Sequence, residues 1–109
     1  MDLNEYEQSA REWDALVGVD AERANVVFDR LHVLAKEMRE SADGRAALVG
    51  LMAHESAGVR LLAATECLVW DPVRARAVLA AIEDAGGLHG VSAKYTLQSF
   101  EAGTLDLDW

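Results

Sequence analysis

The segment that most constrains the fold is HESAGVRLLAATECLVW, residues 54–70. The side chains that share one stripe at helical spacing are Leu61, Ala64, Thr65 and Leu68. Further apolar residues cover most of the remaining circumference, and a helix that is apolar on nearly every side is normally enclosed by other helices. The stretch from Val59 to Trp70 therefore predicts a central, buried helix.

Two helices are predicted in the N-terminal part of the chain. The first has an apolar stripe formed by Leu3, Tyr6, Ala10, Trp13 and Val17, and it ends at Gly18. Asp20 is placed to cap the second helix, because short side chains with an acceptor oxygen bind the free amides of a first helical turn. The stripe of the second helix contains Val27, Leu31, Leu34, Ala35 and Met38.

Three further helices follow from the same signals. Asp43 is the expected cap of a short third helix with Leu48, Leu51 and Met52 facing inward. Asp71-Pro72 predicts a sharp restart into a fifth helix, since the fixed φ of proline suits a first helical turn. Gly86-Gly87 ends that helix, and a sixth begins near Gly90. The inward residues of the last two helices are Ala75, Val78, Leu79, Ile82, Ala93, Leu97 and Phe100.

No stretch shows the alternation of a β-strand, so we expect an all-α chain of about six helices. The length of 109 residues fits one domain. We expect an N-terminal helix pair over residues 1–42, further helices over residues 43–102, and a non-helical acidic tail over residues 103–109.

The sequence Gly58-Val-Arg-Leu-Leu-Ala-Ala-Thr-Glu-Cys-Leu68 resembles the second helix of a HEAT repeat. A weaker copy, Ser92-Ala-Lys-Tyr-Thr-Leu97, follows 29 residues after Ala63-Ala-Thr-Glu-Cys-Leu68. The whole chain also resembles a group of small bacterial HEAT-like proteins catalogued as a domain of unknown function. This resemblance implies a short, right-handed α-α superhelix and says little about activity.

Several residues are predicted to serve the fold. Arg60 opens the buried helix, and we expect its guanidinium to pair with an acid or with the carbonyls that end a neighbouring helix. The alternative is an arginine that recognises an anion. The other residues predicted to be structural are Ala64, Leu68, Trp70 and Pro72.

The titratable residues form no catalytic pattern, and we predict neither a catalytic residue nor a cofactor nor a metal site. His32, His54 and His89 lie in different segments, and none has metal-ligand spacing. His54 and His89 are expected in loops. Asp29 and His32 share a helix face, where a surface pair is the more common outcome than a catalytic dyad. Cys67 is expected to be a core residue.

The charge of the chain indicates the kind of partner that it could bind. The net charge is −9, residues 1–22 carry seven acids and one base, and residues 101–109 carry three acids and no base. Such a field repels phosphates and favours a basic partner. Asp106, Asp108 and Trp109 are the predicted contact residues, although Trp109 can instead fold back onto the core.

These observations predict a non-catalytic protein-protein interaction domain that is cytoplasmic and has no membrane segment. A concrete form is an immunity-type protein that neutralises a basic bacterial toxin. Two alternatives remain: a small enzyme, and a nucleic-acid-binding protein. The second would need several arginines on one concave surface, drawn from Arg23, Arg30, Arg39, Arg45, Arg60, Arg74 and Arg76.

Overall fold

The computed structural model describes residues 2–109, which form six α-helices connected by short loops. The helices are α1 (Leu3–Leu16), α2 (Ala21–Arg39), α3 (Ala42–Leu51), α4 (Ala57–Cys67), α5 (Pro72–Ala85) and α6 (Gly87–Ala102). Within this range there is no β-strand, and the prediction of an all-α chain is confirmed. No helix in the described range is both long and apolar enough to span a membrane.

Side-chain caps start the second and third helices. Asp20 accepts a hydrogen bond from the amide of Arg23, as predicted. The prediction for α3 was wrong, because Ser41 is its cap and accepts from the amide of Gly44 at 2.9 Å. Asp43 lies inside the first turn, where its charge still favours the positive end of the helix dipole.

The boundary between α4 and α5 depends on a turn and a proline. α4 ends at Cys67, and the next three residues form a turn, so the helix stops short of the predicted Trp70. Trp70 is half-buried and packs against the core. Pro72 is the first residue of α5, as predicted, because it needs no amide partner there.

Gly86 separates α5 from α6 with a positive φ of 77°. The prediction that α6 begins near Gly90 was three residues late, since the helix begins at Gly87. The reason is that the amide of Gly90 donates to the carbonyl of Gly86 at 3.3 Å, which closes a helical turn over the residues between. His89 therefore lies on α6 and not in a loop, which corrects the second expectation for this region.

α4 is the central helix, because it packs against α1, α3, α5 and α6. Its buried side chains confirm the predicted enclosure; they are Val59, Leu61, Ala63, Ala64, Glu66 and Cys67, with Leu68 directly after the helix. Leu62 and Thr65 are only half-buried, and Val69 is exposed. One side of α4 is thus less completely covered than the sequence pattern predicts.

Arg60 serves the fold through backbone carbonyls. Its Nη1 donates to the carbonyl of His54 at 2.8 Å and to that of Glu55 at 2.9 Å. Both carbonyls belong to the loop that connects α3 to α4. The structural alternative predicted for Arg60 is therefore the one that the molecule adopts.

The C-terminal tail returns across the molecule from the end of α6 to α2. Lys36 Nζ donates to the carbonyl of Asp108 at 3.1 Å, and Arg39 Nη2 donates to that of Leu107 at 2.9 Å. Leu105 packs against the core. α2 and α6 are not among the helix pairs that pack extensively, and the tail runs from the end of α6 to side chains of α2.

Candidate functional site

A cavity of about 180 Å³ lies beneath the returning tail. Side chains of α1, α2, α4, α6 and the tail line it, and most of them are apolar. The aromatic residues of the lining are Tyr6, Trp13, Phe28 and Trp109. The polar residues are His32, Thr65, Glu66, Ser92 and Thr96. The half-buried residues of α4, Leu62 and Thr65, thus form part of the cavity wall.

Trp109 covers the α2 side of this cavity. Its indole stacks on the imidazole of His32, with ring centroids 3.5 Å apart and planes 3° apart, and lies 6.0 Å from the ring of Phe28. Of the two outcomes considered for Trp109, folding back is the one observed. The residue nevertheless remains 56% exposed. One face of the indole is therefore used by the fold, while much of the ring meets solvent.

Glu66 is the one carboxylate in the cavity lining, and sequence reasoning missed it. The residue is only 8% exposed, and its Oε2 has no hydrogen-bond partner within residues 2–109. The closest cation, Arg39 Nε, lies 3.9 Å from Oε2, outside hydrogen-bond range. Desolvation raises the pKa of Glu66 to about 7; Arg39 opposes the shift and Asp108 adds to it.

His32 contributes a second buried polar atom. The residue is 8% exposed, and its Nε2 has no hydrogen-bond partner in the described part of the chain. Burial, followed by the nearby charge of Lys36, lowers the pKa of His32, so its ring is neutral at pH 7. Asp29, its predicted neighbour on the helix face, is exposed and does not line the cavity. The two residues therefore do not act together on this cavity.

A second polar cluster lies at the N-terminal end of α4, where both oxygens of its carboxylate, Asp14, are paired, although Nδ1 of His89 is buried without a partner among residues 2–109. Asp14 Oδ2 accepts from Ser56 Oγ at 2.8 Å, and Asp14 Oδ1 lies 2.7 Å from His89 Nε2. The ring of Trp13 stacks on His89. A Cβ on Gly58 would lie 2.3 Å from Asp14 Oδ1, so this close approach requires glycine.

Glu7 and His54 extend the same cluster along α1. The amide of Ser56 donates to His54 Nδ1 at 2.9 Å, so in the neutral ring Nε2 carries the proton and donates to Glu7 Oε1 at 3.0 Å. The hydrogen bond from His54, assisted by Arg11, lowers the pKa of Glu7. His54 lies in the α3–α4 loop, as predicted.

The paired cluster contains serine, histidine and aspartate but is not arranged for nucleophilic catalysis. In a catalytic triad the imidazole contacts the hydroxyl, whereas here Ser56 and His89 both contact Asp14. Cys67 is fully buried, and burial raises the pKa of its thiol to about 12, which fits the predicted core role. Among the residues that the structure describes, no group of His, Cys, Asp and Glu is placed to hold a metal ion.

The predicted contact residues of the tail lie together on the outer surface. Asp108 Oδ1 is 3.3 Å from Arg39 Nη1, although its side chain is 83% exposed. Asp106 is exposed, and its Oδ1 accepts from the amide of Asp108 at 2.9 Å. Together with Trp109 they form an acidic-aromatic surface, which we call the tail surface.

Most of the arginines considered as phosphate ligands form contacts with other residues of the same chain. Arg30, Arg74 and Arg76 form ion pairs with Glu5, Asp71 and Glu101, respectively. Others hold backbone carbonyls or the tail; they are Arg39, Arg45 and Arg60. Their charges are therefore partly neutralised or directed at the chain itself.

Comparison with known proteins gives a family and a similar structure. The chain resembles the protein RPA1889 from Rhodopseudomonas palustris CGA009, known from a crystal structure, with 30% identity and a TM-score of 0.84. The match covers 95% of this chain and 88% of that one. No curated protein matches the sequence. The family described as a domain of unknown function, DUF2019, matches residues 6–101, so the chain belongs to the DUF2019 family.

Proposed function

We propose that this protein is a non-catalytic interaction domain that binds a basic protein through the tail surface. The observation that carries the proposal is the half-exposed indole of Trp109, held in place on α2 and flanked by the exposed carboxylates of Asp106 and Asp108. Partly fixed aromatic side chains dominate many protein interfaces, because they bury a large area at a small cost in conformational entropy.

Two further features support the proposal. The net charge of −9 favours association with a positively charged partner. On α6, Leu88, Val91 and Tyr95 are each more than half exposed and follow helical spacing. Such apolar surface is a common component of protein interfaces.

The helical arrangement that we propose is a short HEAT-like superhelix. The packing of consecutive helices supports it, since α1 packs with α2, α3 with α4, and α5 with α6. Repeat architectures of this kind recognise partners through extended surfaces built by successive helix pairs. The immunity-type role is the specific form of the proposal, in which the basic partner is a bacterial toxin that the acidic surface blocks.

The test is affinity capture from the native host with the full chain as bait. The matched control is the triple variant Asp106→Asn, Asp108→Asn and Trp109→Ala, which removes the tail surface. We expect a basic protein that the wild-type chain retains at micromolar concentration and that the triple variant loses. Retention should weaken with salt, because charge steers the association.

Two results would contradict this function. One is the absence of any protein retained at micromolar concentration, and the other is equal retention by the wild-type chain and the triple variant. For the immunity-type form, co-expression of the captured partner with this chain should restore the growth of cells that the partner alone inhibits. If the captured partner never inhibits growth, the immunity-type role is wrong, whereas the interaction role still stands.

A further inference from the structure

We propose that the cavity under Trp109 binds a small organic ammonium ion, whose apolar group fills the aromatic walls and whose amine pairs with Glu66. The inference concerns the interior of the molecule and does not rest on the interaction role of the tail surface. It follows from three properties of the cavity: its size, the sign of its charge and its buried polar atoms.

The size of the cavity limits the ligand to about one ring. Its volume of about 180 Å³ is similar to that of an engineered cavity of roughly 150 Å³ that admits benzene. The walls are mostly apolar, so they stabilise a phenyl or short alkyl group by removing it from water. A nucleotide or a sugar phosphate would be too large and too polar for this space.

The charge of the lining favours a cation. Glu66 is its only carboxylate, and no lysine or arginine contributes to the wall. Arg39 approaches Glu66 but also donates to the carbonyl of Leu107 and pairs with Asp108. An ammonium group would meet a carboxylate that lacks a hydrogen bond at Oε2, and it would meet the electron-rich faces of aromatic rings. An anion would meet the charge of Glu66.

His32 offers the ammonium group a second acceptor. Its Nε2 is buried without a partner among residues 2–109. The ring is neutral at pH 7, and a neutral imidazole has one nitrogen that accepts a hydrogen bond. An ammonium ion has three donors and an alcohol has one, so only the ammonium ion has enough donors to serve more than one acceptor of this lining. Leaving Glu66 Oε2 and His32 Nε2 without partners is costly, and a ligand that binds both removes that cost.

The binding should depend on pH through Glu66. The charged groups that face Glu66 are Arg39 from α2 and Asp108 from the tail, with the buried hydroxyl of Tyr6 on α1. A cation binds the ionised carboxylate, and the pKa of Glu66 is about 7 in the free protein. Affinity should therefore rise about tenfold between pH 6 and pH 8, because the ionised fraction rises about tenfold over that range.

The experiment titrates three probes of nearly equal shape into the full chain: benzylammonium, benzyl alcohol and benzoate. Calorimetry gives the dissociation constants, and Trp109 near the cavity mouth supplies a fluorescence signal. We expect benzylammonium to bind at least about tenfold more tightly than benzyl alcohol, and benzoate to bind least. Glu66→Gln should abolish the preference for benzylammonium and leave the affinity for benzyl alcohol unchanged.

Glu12→Gln is the matched control, because it removes the same charge from an exposed position on α1. It should leave all three affinities unchanged. The proposal is overturned if no probe binds at millimolar concentration, if benzoate or the alcohol binds as well as the amine, or if Glu66→Gln retains the preference. Should Glu66→Gln fail to fold, the ranking of the probes and its pH dependence on the wild-type chain decide the question.

Discussion

The two ends of α4 hold two polar clusters that differ in how their carboxylates are paired, although each cluster also contains a histidine with one buried nitrogen that lacks a partner among residues 2–109. At the N-terminal end, Asp14 contacts both Ser56 and His89 within hydrogen-bond distance. Toward the C-terminal end, Glu66 and His32 each have a buried atom with no hydrogen-bond partner in the described chain. The first cluster joins helices together, and the second lines a cavity.

This difference separates a structural role from a binding role. Buried polar groups that are hydrogen-bonded stabilise a unique arrangement, whereas buried groups without partners destabilise the fold. Asp14, Ser56 and His89 connect α1, the start of α4 and α6, which accounts for their presence. Glu66 on α4 faces the guanidinium of Arg39 on α2 at 3.9 Å without a hydrogen bond at Oε2, and this weak pairing agrees with the ligand-binding role that we propose for it.

The largest expected effect is at the paired end of α4. In Gly58→Ala the new Cβ would lie 2.3 Å from Asp14 Oδ1 and 2.5 Å from Asp14 Cγ, so Asp14 has to move and lose its hydrogen bonds. We expect the free energy of unfolding to fall by about 2–4 kcal/mol in urea denaturation, since overpacking and the loss of part-buried hydrogen bonds act together.

Gly50→Ala is the matched control for this substitution. Gly50 lies in α3 with nothing within 4 Å of its Cβ position, so alanine should be neutral or stabilise the helix by about 0.5–1 kcal/mol. Equal stability of the two alanine variants would show that the contact between Asp14 and α4 does not tie the helices together.

The next largest effect concerns Glu66. Its pKa is raised to about 7 in the folded chain and is about 4.3 when unfolded, so between these values the folded state holds more protons. Stability should therefore fall as the pH rises through this window and should level off above it. Relative to the wild type, Glu66→Gln should be more stable by about 1 kcal/mol at pH 5 and by about 3 kcal/mol at pH 8.

Urea denaturation at both pH values measures this difference, with Glu12→Gln as the exposed control. A difference between Glu66→Gln and the wild type that is the same at pH 5 and pH 8 would contradict the view that Glu66 is buried without adequate pairing. The comparison between the two ends of α4 would then fail.

A smaller effect is expected when the tail is loosened. Trp109→Ala removes the stacking on His32 and the contact with Phe28. We expect a loss of about 1 kcal/mol in the free energy of unfolding, because the indole is half exposed and aromatic pairs contribute about 0.5–1.5 kcal/mol. The NMR signals of the His32 ring should shift at the same time. Unchanged signals would show that the tail does not rest on α2 in solution.

The smallest effect is expected at the exposed edge of the paired cluster. The hydrogen bond from His54 lowers the pKa of Glu7, so its stabilising contribution is present above the unfolded pKa and is lost as the pH falls through the lowered value. Because the Glu7 side chain is about one third exposed and solvent screens its contacts, Glu7→Gln should change Tm at pH 7 by no more than about 2 °C in a calorimetric scan. A larger drop would place Glu7 among the residues that hold the fold.

Much of the fold could be predicted from local sequence signals. Asp20 and Pro72 start helices where predicted, because caps and proline act within one helical turn. The errors are equally local: Ser41 takes the cap position directly before α3, and Gly87 starts α6 earlier than the apolar pattern of that helix indicates. The enclosure of α4 follows from its composition.

The cavity could not be predicted, because its parts come from distant segments. Glu66 lies among apolar residues, and that anomaly is the one signal in the sequence that could have indicated it. The stacking of Trp109 on His32 joins residues 77 positions apart, which periodicity does not reveal. The contacts of Asp14 with Ser56 and His89 depend in the same way on how the helices pack.

The most direct test of the contrast between the two ends of α4 is the pKa of Glu66, measured by NMR titration of its side-chain carboxyl carbon in the folded chain. A value near 7 is expected, because the carboxyl is buried and its Oε2 has no hydrogen-bond partner within residues 2–109. A value near the ordinary 4.5 would show that the carboxylate is hydrated or well paired, and would contradict the account.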